Sequence, residues 1–412
     1  MLLAIFTGCS KDEINDGVTP GPGVEAEGVG DVYLRFTEDS GVTSRAESVE
    51  VSGGLLVNFQ SGMIFFVDNT TDVIEKSFTI GSGVEADYTL MQLTEGTIFT
   101  AIPNNANVVY ILANHEIQGN TDPGSDMKAI LAETTDLSEQ ADDNFGVSNV
   151  SLAGFGGLVN STRQGVSREA VVNVDPVVGR IELFQVRSEY PALDPAAPAQ
   201  YAVTSFKIAG VFINNFYYEA PVYGGLDNAG VQPFNFYGVP AEYDSKSNGG
   251  EYEDSWEKYV YDLYSPFSAT GSAGALADAN GVVKPADNKV WGYNLFPNPS
   301  SLPRIVLHLK DVEYAYYTDP TDGSSAPVTG DFVNSTTGDA TAYLTVKTYT
   351  ASSGIIEKLS AGNIYKISDL KFRYEHLTEV PDPDGGDEDD DLNVWVQIKL
   401  MNWQAVEVEG GF

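Results

Sequence analysis

The chain has 412 residues, and 42% of them are hydrophobic, which is enough apolar material for sizeable buried cores. A chain of this length favours two domains of about 150–200 residues each. Its 59 acidic residues outnumber 22 basic residues and give a formal net charge of −37. A surface this acidic repels phosphate groups and anionic lipid headgroups, so the composition argues against a nucleic-acid-binding protein.

The N-terminal segment carries the single cysteine of the sequence, Cys9, so no internal disulfide can form. Residues 1–8 are largely apolar and end in Thr7-Gly8, and charged residues begin soon after Cys9. This pattern is similar to the end of a bacterial lipoprotein signal peptide, which is cut before a lipid-bearing cysteine. We therefore expect lipidation at Cys9, and the alternative is a chance cysteine in a tail. No other segment has the roughly 20 apolar residues of a transmembrane helix.

A flexible tether and a first strand are predicted next. Residues 14–30 are rich in Gly, Pro and acidic side chains, which is typical of a tether. Residues 31–37 then alternate, with Val32, Leu34 and Phe36 on one face, as in a β-strand with one buried side. The polar stretch 38–54 follows, and it predicts a loop that contains Arg45.

Short runs of β-branched and aromatic residues follow along most of the chain, without a long stripe of period 3.6. They predict strands, whereas residues 125–138 predict one modest helix and residues 191–198 a linker. The predicted strands are 55–59, 63–67, 77–80, 88–93, 97–102, 108–113, 147–152, 169–174, 177–186, 201–216, 290–295, 304–317, 342–349 and 364–372. Polar loops are expected at 224–254 and 318–339. The predicted fold class is all-β.

The C-terminal section combines an acidic segment with a strongly patterned strand. Seven of the ten residues 382–391 are acidic, and their spacing differs from an EF-hand loop, which favours a solvated linker over a cation site. The next segment, 392–403, has one clean apolar face of alternate residues and ends in Trp403. That face consists of Val394, Val396, Ile398 and Leu400. We therefore predict a second strand with one buried side, at the opposite end of the chain from the first.

No recognisable catalytic or metal-binding motif occurs. The three histidines, His115, His308 and His376, are far apart, and none has the spacing of metal ligands. There is also no nucleophile elbow, P-loop or dinucleotide-binding motif. The many carboxylates leave a glycosidase-type pair open, and aromatic runs at 216–218 and 314–317 could stack on sugars or pack within a sheet. We predict that the chain is not an enzyme and uses no cofactor or metal.

Several of these features together resemble the fimbrillins, the FimA-like type V pilins of Gram-negative bacteria. They are the lipoprotein-like start at Cys9, the cleavage-like site Thr43-Ser44-Arg45-Ala46, the segments 103–114 and 177–183, and the C-terminal segment 392–403 with its short tail. They span nearly the whole chain. Each is weak alone, and their order and spacing make the resemblance fairly specific.

The resemblance implies two transthyretin-like Greek-key β-sandwich domains with a removable N-terminal strand and a C-terminal donor strand. It implies an outer-membrane lipoprotein precursor, an Arg-specific protease that cuts between Arg45 and Ala46, and a cell-surface fimbria that supports adhesion. The subunits would form a homopolymer or join related subunits, with each donor strand filling a neighbour's opened groove. The expected division is 1–9 residual signal, 10–45 tether and removable strand, 46–170 and 171–391 sandwich domains, and 392–412 donor segment.

Physical reasoning from the two terminal strands supports the same mechanism. Removing one strand exposes a sheet edge and an apolar slot, and an added strand restores both the backbone hydrogen bonds and the packing. The alternatives are a monomeric surface lipoprotein that binds glycan or protein, and a tip or anchor subunit of a fimbria. In the monomeric case both strands are ordinary, and Arg45 is only a solvated loop residue.

Overall fold

A computed structural model describes residues 29–38, 45–49, 59–83, 85–140, 150–189, 201–214, 217, 219–223, 282–285, 289–297, 302–317, 327–335, 338–351, 354–379 and 397–402. Within these ranges nearly every regular element is a β-strand and the helices are few and short, so the all-β prediction is confirmed. Cys9, the acidic segment 382–391, and the residues Val394, Val396 and Trp403 lie outside the described residues.

The strands in chain order are β1 (Val29–Glu38), β2 (Arg45–Val49), β3 (Ser61–Asp68), β4 (Val73–Gly81), β5 (Thr97–Pro103), β6 (Val108–Ala113), β7 (Thr134–Asp136), β8 (Leu152–Gly157), β9 (Val159–Asn160), β10 (Arg168–Pro176), β11 (Gly179–Leu183), β12 (Val186–Ser188), β13 (Tyr201–Asn214), β14 (Glu219–Pro221), β15 (Val282–Val283), β16 (Lys289–Leu295), β17 (Arg304–Tyr316), β18 (Val328–Asp331), β19 (Thr341–Val346), β20 (Thr350–Ala351), β21 (Gly354–Ile355), β22 (Asn363–Ile367), β23 (Leu370–Phe372) and β24 (Gln397–Asn402). The helices are α1 (Leu90–Glu95) and α2 (Met127–Leu131), with short 3-10 turns at Leu137–Gln140 and Tyr374–His376.

Two large sheets organise these strands. The first sheet has the order β4-β3-β6-β8-β10-β1-β5, and β9 also pairs with β10. The second sheet has the order β2-β16-β11-β22-β24-β20-β21. Smaller sheets are β15-β12-β23, β14-β7 and β13-β17-β18, the last with β19 also on β17. The two terminal strands of interest, β1 and β24, therefore belong to different sheets.

The buried hydrophobic residues form two clusters. One cluster consists only of residues between 32 and 174 and lies against one face of the first sheet. Its members include Val32, Ile64, Phe99 and Val172. The other runs from Phe65 to Phe372 and includes the opposite face of β3 and β6. The first sheet thus has apolar side chains on both faces. The predicted domain boundary after residue 170 falls inside β10 (Arg168–Pro176).

The predicted strand at 88–93 is wrong, because a capping box begins α1 there. The backbone N–H of Gln92 donates to the Thr89 hydroxyl at 3.3 Å, and the Thr89 N–H donates to the Gln92 side chain at 2.8 Å. This reciprocal pair satisfies donors that a helix start leaves open. Leu93 is the buried residue of the helix, and its side chain anchors α1 to the hydrophobic core.

The single helix predicted over 125–138 is also wrong in extent. Asp126 caps α2 through its side chain, which accepts from the Lys128 N–H at 2.9 Å, and α2 then ends at Leu131. Thr134 and Thr135 follow in β7, which pairs with β14. β-branched residues fit a pleated strand better than a helix interior. Thr134 and Thr135 therefore pair with β14 and do not continue the helix that the weak helical pattern predicts.

Three further expectations need correction. The single strand predicted over 177–186 is divided into β11 and β12, which pair in different sheets. The single strand predicted over 364–372 is likewise divided, into β22 and β23. The polar loop expected at 318–339 contains β18, which pairs with β17. These cases reflect long-range partners that a local pattern does not contain. The expected loop at 224–254 lies outside the described residues.

A buried polar network joins β11 to β16 and to the turn at 137–140. The side chains of Arg180 and Glu182 are fully buried, and Arg180 Nε donates to Glu182 Oε1 at 2.8 Å. Arg180 also donates to the Asn294 amide oxygen at 3.3 Å, and the Asn294 amide donates to the Gln140 carbonyl at 3.0 Å. The Gln140 amide oxygen in turn accepts from the Ser151 N–H at 2.8 Å. The network therefore ties together segments that are far apart in the sequence.

Neutralising this buried pair is expected to cost much more stability than neutralising a surface pair. Glu182→Gln removes the fully buried carboxylate to which Arg180 Nε donates, so the free energy of unfolding should fall by roughly 3–5 kcal/mol. The matched control is Asp369→Asn, which breaks the partly exposed ion pair with Arg187 and should cost less than about 1 kcal/mol. Urea unfolding of both variants measures the difference, and equal losses would refute the structural role of the buried pair.

Candidate functional site

The first predicted strand occupies an interior position in the first sheet. β1 pairs in parallel with β10, from Val32 opposite Arg168 to Glu38 opposite Val174. On its other side β1 pairs antiparallel with β5, with Val32 opposite Phe99. Because β1 has strand partners on both sides, its removal would leave two facing sheet edges with unpaired N–H and C=O groups. We call the space between β5 and β10 the strand slot.

The side chains of β1 alternate as the sequence predicts. Val32 and Leu34 are fully buried in the core, whereas Tyr33 is half-buried and Arg35 is exposed. Burying two aliphatic side chains of this size stabilises the fold by roughly 3–6 kcal/mol. The side chain of Phe36 lies outside the described residues, although its backbone continues the pairing with Val172. The floor of the slot is therefore apolar where Val32 and Leu34 now sit.

Aromatic rings form a rigid wall beside these positions. The ring of Phe99 on β5 lies with its centroid 4.5 Å from that of Tyr88, 5.1 Å from that of Phe78 and 5.2 Å from that of Phe66. Tilted and edge-on contacts at such distances are favourable beyond the burial of area. The wall consists of side chains from β3, β4, β5 and the segment just before α1, so its rings pack on one another without a ring from β1.

The outer face of β1 is held by Tyr33. The guanidinium carbon of Arg163 lies 3.8 Å from the centroid of the Tyr33 ring, and Arg163 is ion-paired with Glu169 at 3.2 Å. Gly96, at the end of α1, has a φ of +96°, and a Cβ there would lie 1.8 Å from the Tyr33 hydroxyl oxygen. Only glycine satisfies both the backbone angle and the close approach. These contacts hold β1 in register without burying Tyr33.

Arg168 bridges the two strands that flank β1. It begins β10, yet its Nη2 donates to the carbonyl oxygens of Ile102 at 3.1 Å and Pro103 at 3.0 Å, at the end of β5. Its Nη1 donates to the carbonyls of Asn104, at 3.3 Å, and Ala106, in the turn after β5. Burial lowers the pKa of the Arg168 guanidinium. This side chain therefore links β10 to β5 independently of β1.

Replacing Arg168 by Met is expected to loosen the slot. The change removes a donor from four carbonyl oxygens, three of them at partly buried contacts, and the loss of such hydrogen bonds should cost roughly 1–3 kcal/mol. Arg163→Met is the matched control, because Arg163 is about half exposed. Denaturant unfolding should show the larger loss for Arg168→Met, and Arg168→Lys should recover part of it. Equal losses for the Arg168→Met and Arg163→Met variants would contradict the bridging role.

The predicted donor strand pairs within the second sheet. Residues 397–402 form β24, which runs antiparallel to β22, with Leu400 opposite Tyr365 and Ile398 opposite Ile367. β24 also runs parallel to β20, with Ile398 opposite Ala351. The structure thus does not bring β1 and β24 together within one chain.

The predicted cleavage site lies in a strand and not in a loop. Arg45 and Ala46 begin β2, which pairs antiparallel with β16, with Arg45 opposite Gly292 and Ser48 opposite Val290. Among the strands that the structure describes, β2 lies at the edge of the second sheet. Polar residues such as Arg45 and Glu47 are compatible with an edge strand, which explains why the polar pattern indicated a loop. A cut after Arg45 would separate β1, in the first sheet, from β2, in the second.

Neither a metal centre nor a membrane-spanning helix emerges from the part of the chain that the structure describes. Within it, no three His, Cys, Asp or Glu side chains are grouped so that they could hold a metal ion. In the same ranges, no helix is long and apolar enough to cross a bilayer.

Comparison with known proteins gives structural neighbours but no sequence relatives. No family model matches the chain, and no curated protein matches it. A fimbrilin (fimA) from Porphyromonas gingivalis is similar in structure, with 16% identity, a TM-score of 0.48, and coverage of 93% of this chain and 99% of that one. The chain resembles fimbrillins. A "putative cell adhesion protein" from Parabacteroides distasonis is also similar, with 13% identity, a TM-score of 0.47, and coverage of 91% and 99%.

The first of these neighbours is a fimbrilin, the kind of protein that the sequence resembles. With identities this low and TM-scores below 0.5, they carry no argument about what this chain does. Its function has to be argued from the strand slot itself.

Proposed function

We propose that the chain is a structural subunit of a cell-surface fimbria that polymerises by donor-strand exchange and supports adhesion. The observation that carries the proposal is the position of β1, which lies between β5 and β10 with Val32 and Leu34 buried. Removing such a strand leaves both backbone edges and an apolar floor open, and one incoming strand can satisfy both.

The proposed maturation has three steps. The precursor is exported as an outer-membrane lipoprotein through lipid on Cys9, and an Arg-specific protease then cuts between Arg45 and Ala46. The segment that contains β1 leaves, and the C-terminal strand of a neighbour enters the slot through Val394, Val396, Ile398 and Leu400, followed by Trp403. Partners are other copies of the chain or related fimbrial subunits.

The position of Arg45 in β2 adds a condition to this scheme. A protease binds its substrate in an extended form, which an edge strand already has. The first residues of β2 must nevertheless leave β16 before a protease can surround the Arg45–Ala46 bond. Because β2 is at the edge, this opening breaks pairing on one side. Cleavage is therefore expected to depend on local fraying of β2 and not on global unfolding.

The energetics of exchange include a cost on the donor side. Four aliphatic side chains entering the slot would contribute roughly 6–12 kcal/mol before entropic losses. Against this, β24 gives up its pairing with β22 and β20 if it is the segment that moves. Exchange is thus expected to be favourable and slow. Head-to-tail contacts of this kind do not close on themselves, so they propagate a filament.

We further propose that the chain folds as two transthyretin-like Greek-key sandwiches. The hydrophobic cluster confined to residues 32–174 supports a separate N-terminal unit. A boundary at the end of β10, near Pro176, fits this cluster better than one after residue 170, because it leaves the strand intact.

Limited digestion tests the proposal as a whole. The purified chain is cut with an Arg-specific protease, the new N-terminus is sequenced, and the product is run on SDS gels without boiling. A product that starts at Ala46 and forms a ladder of multiples supports strand exchange. The same product as a monomer at all concentrations would overturn it and favour a surface-binding or anchor role.

A further inference from the structure

A cavity of about 370 Å³ opens on the face of the first sheet that lies opposite the cluster of residues 32–174, on the side of β10 away from the strand slot. The residues that line it come from β8, from β10 and the residue after it, and from two distant loops. They are Ala153, Gly154, Phe155, Asn173, Asp175, Pro176, Val177, Tyr223 and Ala361. Its volume falls in the range of about 300–1,000 Å³ that small-molecule sites occupy.

An exposed aromatic ring forms one wall of this cavity. Phe155 is 60% exposed, which is unusual for a large apolar side chain in the middle of a strand. Two rings hold it in place, with centroid distances of 6.3 Å to Tyr110 and 5.9 Å to Tyr223. Gly154 allows β8 to lie close to β10, because a Cβ there would lie 2.2 Å from the Asn173 carbonyl oxygen. The ring is therefore open to solvent and yet fixed in position.

Polar groups stand beside the ring on the same face. Asn173 is directly opposite Phe155 in the ladder, and Asp175 is two residues further along β10. Diagonal neighbours of this kind are about 7–8 Å apart. The Asp175 carboxylate accepts no side-chain or backbone hydrogen bond from any residue that the structure describes, and its partial burial raises its pKa. Burial, with the charge of nearby Tyr110, raises the pKa of Tyr223 to about 12, so its hydroxyl stays protonated at neutral pH.

We propose that this cavity binds a neutral hexopyranose unit of a glycan, with the sugar ring stacked on Phe155 and its hydroxyl groups bound by Asp175 and Asn173. A pyranose ring has an apolar face of C–H groups and a polar rim, and the cavity offers an apolar ring beside an acceptor that lacks a partner. An alkylammonium group is a poorer match. The rings of Phe155 and Tyr223 meet edge to face at 63° and do not enclose a cage. The inference goes beyond strand exchange, since an uncleaved monomer has the same cavity.

Saturation-transfer NMR on the full-length, uncleaved chain tests this site. The probes are the methyl glycosides of glucose, galactose, mannose and N-acetylglucosamine, with n-butylammonium as the cationic comparison. We expect at least one glycoside to receive magnetisation from the protein and to bind about tenfold more weakly to Phe155→Leu, which keeps an apolar side chain without the ring. Asp175→Ala should weaken binding similarly.

The control variant is Val171→Ala, which changes another exposed apolar residue on the same face of β10 and should leave binding unchanged. Circular dichroism melts establish that each variant is folded. The proposal is overturned if no glycoside responds, if Phe155→Leu binds as tightly as the parent chain, or if n-butylammonium alone responds. Because cleavage is not involved, a negative result here leaves the ladder test of strand exchange untouched.

Discussion

Replacing Arg45 by Gln is expected to abolish both processing at this position and the formation of SDS-resistant ladders. The substitution removes the cationic side chain that an Arg-specific protease recognises, while the backbone pairing of residue 45 with Gly292 can persist. With the 45–46 bond intact, β1 stays covalently attached to β2 and keeps the strand slot filled. Loss of ladders should therefore be complete and not graded. The measurement is digestion, N-terminal sequencing and electrophoresis without boiling.

Arg35→Gln provides the matched control. Arg35 is exposed, but it lies inside β1 with strands on both sides, so a protease cannot surround its peptide bond while the sheet is intact. This variant should be cut after Arg45 and form ladders like the parent chain. If Arg35→Gln blocks maturation and Arg45→Gln does not, the assignment of the cleavage site is wrong.

A mixture of a donor-only chain and an acceptor-only chain is expected to stop at a single heterodimer. The donor-only chain is uncleaved Arg45→Gln, which keeps β1 in its slot and retains the C-terminal strand. The acceptor-only chain ends at residue 391 and is cleaved after Arg45, so its slot is open and it has nothing to donate. Each chain alone should stay monomeric, and their mixture should give one SDS-resistant band at the sum of the two masses.

The truncated acceptor requires a folding control, because it lacks β24 and leaves β22 and β20 without that partner. A second acceptor carries Val396→Asp and Ile398→Asp in the full-length chain, which keeps the backbone of β24 and places charges on the proposed donor face. Once it is cleaved after Arg45, this variant should accept the C-terminal strand of another chain and fail to donate its own, because burying a carboxylate in an apolar slot is strongly unfavourable. Ladders from this variant alone, or no heterodimer with either acceptor, would contradict the proposed donor segment.

The sequence predicts the strands that bury one face well, because a period of two is a local property. Val32 and Leu34 are both fully buried in β1, as the alternation predicts. The predicted strand at 108–113 matches β6 for a different reason, since it is a continuous apolar run that is buried on both faces. The predictions that were wrong concern residues whose strand partners lie far away in the sequence. Arg45 reads as a loop residue until β16 is known to pair with β2, and Thr134 reads as helical until β14 is known to pair with β7.

The groups that shape the slot were missed for a related reason. Arg168 is in phase with the buried residues Ala170 and Val172 of β10, which is a signal that its side chain points inward. An inward arginine needs acceptors, and these are carbonyls of the turn after β5 that no pattern in β10 identifies. The role of Gly96 could not be predicted for the same reason. Its close approach to Tyr33 is a contact between two segments that are far apart in the sequence.

Hydrogen exchange of the strands that flank β1 tests the central claim most directly. The measurement follows backbone amides of β5 (Thr97–Pro103) and β10 (Arg168–Pro176) in the intact chain, in the cleaved monomer and in the polymer, with β3 and β6 as an internal reference. Our account predicts that the amides of β5 and β10 that face β1 are protected in the intact chain, lose protection in the cleaved monomer and regain it in the polymer. The amides of β10 that pair with β8, and those of β3 and β6, stay protected throughout. Protection of the amides facing β1 that survives the loss of β1, or that does not return on polymerisation, would contradict strand exchange at this slot.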